Sequence, residues 1–286
     1  MKFSERYGHI PVRSALQVDG IDDGLRNRLW NLIRARFFSG APPYRGTSTD
    51  FLPVNQGANE FLKNLWHNYF KKTVESVGTS YTDALNVFKE YVLGCNWYEV
   101  YDLLEFLINS TGFSSSRQSF IDSVNVMLKE ELSGYRFVSG LIVQITSEEE
   151  IAAIEQALAL PDSLKPVKEH LGRSLALLSN RKAPDYRNSI KESISAVESL
   201  SKIISKQPKA TLDPALNAVE KTTKLHPVLK EAFQKLYGYT SDAQGIRHAL
   251  MDEPTLDLED AKFMLVSCSA FVNDLVVKAH KAGIAV

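Results

Sequence analysis

At 286 residues and 32.0 kDa the chain can build one large core or two ordinary ones, and 44% hydrophobic with 23% charged residues excludes a disordered or fibrous protein. A formal net charge of −1 excludes coating of nucleic acid by bulk charge, so any such binding has to be local. Two cysteines, Cys95 and Cys268, each among apolar neighbours, exclude a disulfide framework and point to buried thiols in a reducing compartment.

The opening residues lack an apolar signal-peptide core, and the longest apolar run, residues 263–272, is short and broken by serines. A cytoplasmic protein with no membrane partner is expected. Residues 24–38 set Leu25, Leu29, Leu32 and Ile33 on one helical face, with Arg26, Arg28, Arg34 and Arg36 around it. This basic helix is read as a solvated face, with nucleic-acid contact as the weaker alternative. Gly40, Pro42, Pro43, Gly46 and Pro53 make residues 39–53 a loop. Helices follow at 60–77 with Phe61, Leu65, Tyr69 and Val74, at 82–93 with Leu85, Phe88 and Val92, and at 97–108, where aromatic and aliphatic residues are nearly continuous. Gly78 and Gly94 stand where left-handed C-terminal caps are expected. Phe120, Val124 and Leu128 mark one more helix beyond the serines at 114–116.

At Gly134 the apolar period falls to two: Tyr135 to Val138, then Ser139-Gly140, then Leu141 to Ile145, the pattern of a hairpin with a two-residue turn. Ser147 and Glu150 form a capping-box pair ahead of Ile151, Ile154, Ala157 and Leu158. The domain boundary is placed at this hairpin. The second half reads as helices at 164–178, 186–205, 215–222, 227–236 and 261–275, which suits a helical bundle. On the 186–205 helix Ile190, Ile194, Val197 and Ile204 form the apolar stripe, with Arg187, Lys191 and Glu198 along its edge in structural salt bridges. Residues 202–235 hold seven lysines against Asp213, Glu220 and Glu231, an RNA-facing strip or a solvated face.

Between the last two helices lies a polar interruption, residues 237–250, with Gly238, Tyr239, Thr240, Ser241, Asp242, Gly245, Arg247 and His248. A connector needs only residues that turn the chain. One reading makes Thr240, Ser241 or Asp242 the cap of a helix whose first turn holds Ile246, with His248 a satisfied, half-buried histidine. The other gives Arg247 the role of a permanent cation for a phosphate and His248 that of a proton carrier, together suited to phosphodiester chemistry. Glycine-rich nucleotide loops, the HExxH and GxSxG motifs, and zinc-spaced cysteines are absent from the sequence, and His9, His67, His170, His226, His248 and His280 are dispersed. No metal and no cofactor is expected.

Phe3-Ser4-Glu5-Arg6-Tyr7-Gly8, Leu25-Arg26-Asn27, Leu29-Trp30-Asn31, the hairpin from Gly134 to Val138, residues 184–194 and the polar interruption together resemble bacterial AbiJ-type abortive-infection proteins over nearly the whole chain. The resemblance implies a predominantly all-α fold: an AbiJ-type helical domain at 1–133, a β-hairpin connector at 134–146 and a HEPN-like helical domain at 147–286. It implies an antiphage effector that cuts single-stranded or loop RNA without metal, or else a non-catalytic module in a defence system that binds RNA, a nucleotide or a protein. A homodimer is implied, with a phage-derived trigger or a neutralising partner. The implied site is His248, Arg247 and Asp242 as catalytic residues, supported by Arg187, Asn188, Glu192, Glu198, Tyr239 and Ser241. The HEPN signature is an arginine followed a few residues later by a histidine, and at the expected arginine positions stand Ser241, Asp242 and Ala243. The arginine is then Arg247 from the adjacent position, Arg187, or one from a partner subunit, unless the domain binds without cutting.

Overall fold

The first helix begins where Asp22 turns its carboxylate onto the backbone N–H of Leu25 at 2.8 Å, supplying a partner that a helix start lacks. That helix, α1 (Asp23–Phe37), buries Leu25, Leu29, Trp30 and Ile33. The computed structural model describes residues 3, 7, 9, 16–38, 56–77, 81–110, 117–180, 183–241 and 256–286. They fall in two compact units, Met1–Ile142 and Val143–Val286. Apart from one small antiparallel hairpin and an isolated bridge between Gln17 and Ser133, the described secondary structure is helical.

In the first unit α1 is followed by α2 (Gln56–Asn64), a π-helical turn (Leu65–Tyr69), a 3-10 turn (Val74–Val77), α3 (Tyr81–Gly94), α4 (Trp97–Asn109) and α5 (Arg117–Glu130). The single helix expected over 60–77 is therefore interrupted. The Phe70 N–H reaches back to the Leu65 carbonyl at 3.0 Å, one residue further than an α-helix allows, and Lys71 then takes a positive φ of 53°. Widening the turn lets Leu65 and Trp66 both enter the core, while the Tyr69 hydroxyl meets that of Tyr91 at 2.9 Å. Gly94 is the last residue of α3 and is not left-handed; in the second unit, left-handed helix caps occur at Lys206 and Lys224.

The arginines expected on a solvated face of α1 divide. Arg26 donates to the Val92 carbonyl at 2.9 Å and the Cys95 carbonyl at 2.7 Å, satisfying the open end of α3. Arg28 pairs with Glu130 and, at 2.8 Å, with Glu131 beyond the end of α5. Both cations hold helices together.

The hairpin consists of β1 (Arg136–Val138) and β2 (Leu141–Val143), each shorter than the expected run. Ser139 and Gly140, with φ of 50° and 88°, both occupy the left-handed region that the favoured two-residue turn demands. The Arg117 guanidinium lies where a Gly140 Cβ would stand and would have to give way to a larger residue. Every residue of β1 is buried, including Arg136, whose guanidinium donates to the Ser133 and Tyr135 carbonyls at 2.8 and 2.6 Å. The Ile142 N–H donates to the Glu105 carboxylate of α4 at 2.5 Å.

The second unit holds α6 (Glu148–Leu158), a 3-10 turn (Asp162–Leu164), α7 (Lys165–Ser179), α8 (Tyr186–Ser205), α9 (Leu212–Thr223), α10 (Pro227–Ser241) and α11 (Leu258–Lys281). The central helix is α8, which packs on α7, α9 and α11; Ile190, Ile194, Val197 and Ile204 are buried as expected. Phe233 of α10 stacks face to face on Phe271 of α11, ring centroids 3.5 Å apart. Helix α11 is long and apolar enough to span a membrane, with a mean hydropathy of 1.2 over its best window. Its apolar residues Met264, Leu265, Cys268, Phe271, Val272 and Leu275 are instead the buried face of this bundle.

Burial pushes the Glu105 carboxyl above its usual range, opposed by the Ile142 N–H and helped by nearby Asp102. A carboxyl whose folded pKa is raised costs stability once ionised, so this cost is absent below the ordinary carboxylate value and grows as pH rises through the folded one. Glu105→Gln keeps an acceptor for Ile142 without the charge. Its melting temperature at pH 7 should equal or exceed that of the parent, and the advantage should close as pH falls towards about 4. Circular-dichroism melts at the two pH values measure this, and a variant several degrees less stable at pH 7 would refute it.

Candidate functional site

Asp242, Arg247 and His248 lie outside the described residues. Tyr239 and Ser241, expected in the polar interruption, continue the backbone of α10, whose last residue is Ser241. The helix thus runs further into this polar stretch than the sequence pattern suggested, with Thr240 and Ser241 in its last turn. Arg187, Asn188, Glu192 and Glu198 all stand on α8.

The first turn of α8 is fixed by Asp185, which accepts from the Asn188 N–H at 3.0 Å and from the Asn188 side-chain amide at 2.6 Å. The Asp185 N–H in turn donates to the Leu177 carbonyl of α7 at 3.2 Å. Asn188 and Glu192, four residues apart, share a helix face. Glu198 does not share it: six residues beyond Glu192 places it about a third of a turn away round the helix, and Glu198 is held by Lys202 at 2.6 Å. The two carboxylates expected to support one site therefore serve different faces. Lys191 reaches the Asn188 side-chain oxygen at 3.5 Å.

Glu192 has two partners that the sequence reading did not assign to it. His170 Nδ1 lies 2.7 Å from Glu192 Oε2, and Arg173 Nε lies 3.5 Å from Oε1. The Glu192 side chain is 19% exposed, His170 35% and Arg173 72%, so a largely withdrawn carboxylate holds two cation-forming groups at the edge of the α7–α8 pair. An imidazole that donates Nδ1–H to a carboxylate is the tautomer with its lone pair on Nε2. Among the described residues no group of three His, Cys, Asp or Glu side chains is placed to hold a metal. Burial raises the Cys268 thiol far above its usual range, which leaves it an inert core residue.

Residues 1–160, more than half of the chain, match the family described as AbiJ N-terminal domain 4. The chain belongs to that family. It is an AbiJ-type protein, of the abortive-infection defence class. The matched region runs beyond the first unit and through α6 of the second. None of the curated proteins and none of the solved structures compared with the chain matches it.

In this AbiJ-type chain the helices that carry His170, Arg173 and Glu192 are also joined by a seam of serines. The Ser174 hydroxyl lies 3.0 Å from that of Ser189 and 2.8 Å from that of Ser193, and all three are fully buried. Ser189 also donates to the Ser174 carbonyl at 2.9 Å and Ser193 to the Ser189 carbonyl at 3.1 Å. Small side chains let α7 and α8 approach closely, and each hydroxyl has a partner. The signal was legible only in retrospect: Ser174 follows His170 by four residues, and Ser189 and Ser193 bracket Glu192, but pairing them requires the register of two helices.

Some of the other basic groups are engaged. Of the seven lysines at 202–235, Lys202, Lys230 and Lys235 pair with Glu198, Glu220 and Glu231, which favours the solvated-face reading. An open groove of about 540 Å³ beside α5 is lined by Arg28, Gln118, Asp122 and Glu130, with its one arginine held by two carboxylates.

Ser174→Ala removes two hydroxyl contacts while Ser189 and Ser193 keep carbonyl acceptors, and should cost about 1 kcal/mol in urea unfolding. Ser174→Val adds volume to the closest point of the seam and should cost about 2–3 kcal/mol. Equal stability of the two variants would show that close helix approach is not set there.

Proposed function

We propose that this AbiJ-type protein is an antiphage effector that cleaves single-stranded or loop RNA, without metal, through a HEPN-like second half. The observation that carries the reading is the Arg247-His248 pair, which falls in the chain between α10 and α11 of a helical bundle. His248 takes the proton of a ribose 2′-hydroxyl or returns one to the leaving oxygen, and Arg247 stabilises charge developing on the phosphate oxygens. Single-stranded RNA suits such a site because its splayed bases leave the 2′-hydroxyl accessible. Asp242, with Arg187 and Asn188 from α8, supports the pair in this proposal.

The protein acts in the cytoplasm as a two-fold homodimer, released or restrained by a phage-derived trigger or a neutralising partner. An exposed stripe on α11, with Phe263, Ala270 and Val277 seven residues apart, is the face assigned to the second copy. A second reading, a module that binds RNA without cutting it, is favoured by Ser241, Asp242 and Ala243 at the positions where a HEPN signature places its arginine.

Purified protein incubated with single-stranded RNA should shorten it in the presence of EDTA. His248→Ala should abolish cleavage with an unchanged thermal melt, and Arg247→Lys should lose part of it, since lysine lacks the two-donor fork. RNA of unchanged length with retained binding would select the second reading. If His248 is a core residue, the alanine variant should instead lose about 1–3 kcal/mol of stability. Phe263→Asp should convert a dimer to a monomer by light scattering, and an unaffected dimer would remove α11 from the interface.

A further inference from the structure

The chemistry at Glu192 is arranged to face outward. Glu192 accepts from His170 Nδ1 at 2.7 Å through one oxygen and faces Arg173 Nε at 3.5 Å through the other. Among the described residues His170 Nε2 and the two terminal nitrogens of Arg173 have no partner, although Arg173 is 72% exposed and His170 35%. One carboxylate thus holds an imidazole by a hydrogen bond and lies beside a guanidinium, and Lys191, on Asn188 one turn back, adds a further cation. A clasp between helices would be complete with one of these partners. Two held by their inner nitrogens leave a free guanidinium edge, which fits a phosphodiester through two donors, beside an imidazole nitrogen that can accept from a hydroxyl.

The geometry points to a phosphate-contacting RNA subsite formed by His170, Arg173 and Glu192 at the edge of the α7–α8 pair. Arg173 grips a backbone phosphate, His170 Nε2 accepts from the neighbouring 2′-hydroxyl, and Glu192 is a positioning residue. The assignment rests on the reading of the protein as one that acts on RNA.

The test is fluorescence anisotropy with a labelled single-stranded oligoribonucleotide and its DNA counterpart, on the full chain carrying His248→Ala so that the probe stays intact. Arg173→Ala should weaken both probes by about tenfold and lower the salt-dependence slope by about one, with an unchanged melt. Arg173→Lys should fall between. His170→Ala should weaken RNA alone, and Glu192→Gln should weaken both probes. Unchanged RNA affinity in the Arg173 and His170 variants, or a loss of thermal stability without a loss of affinity, would overturn the subsite and leave the proposed cleavage standing. A chain that neither binds nor cuts RNA would overturn both.

Discussion

In the second unit α7 and α8 meet through buried hydroxyls as well as hydrocarbon. Ser174, Ser189 and Ser193 are fully buried, and each finds its hydrogen-bond partners in the other serines or the adjacent backbone. Buried hydroxyls without partners would cost more than the approach returns, so the register of α7 on α8 is fixed by the need to satisfy all three together. That register decides what meets at the rim. One turn before Ser174 stands His170, beside Ser193 stands Glu192, and a shift of either helix by one residue would separate them.

A different device organises the first unit. Its core is rich in large rings, with Trp30 edge-on to Phe88 at 5.7 Å and Phe37 stacked on Phe61 at 4.5 Å. Rings fill space well but leave helix ends and turns open, and arginine closes them. Arg26 satisfies carbonyls at the end of α3, and Arg136 does the same for residues 133 and 135 while itself buried. These guanidinium groups serve as internal donors, five N–H groups in a rigid plane, where lysine would leave carbonyls unmet.

What the sequence disclosed follows from the range of each interaction. The stripe Ile190, Ile194, Val197 and Ile204 and the Ser139-Gly140 turn are local patterns, and both were readable. The break after Leu65 was not, because the spacing of Phe61, Leu65 and Tyr69 fits an α-helix as well as a π-helical turn. The extension of α10 through Ser241 was hidden by glycine and hydroxyl residues that usually end helices. Arg136 was assigned to an alternating strand, yet β1 is buried on both faces. At the candidate site Glu192 was singled out on α8, but its partners on α7 were not, since nothing local relates positions 170 and 192.

Glu192 shows why structure and chemistry cannot be divided at this rim. A carboxylate with 19% of its side chain exposed has lost much of its hydration and depends on donors to replace it. His170 supplies one from Nδ1 at 2.7 Å and Arg173 adds a charge with Nε at 3.5 Å, and among the described residues the outer nitrogens of both have no partner. The imidazole tautomer is set by the inner bond. An arrangement whose inner half is needed to stabilise a withdrawn charge therefore presents a pre-oriented outer half, and a ligand that uses it has less side-chain freedom to remove on binding.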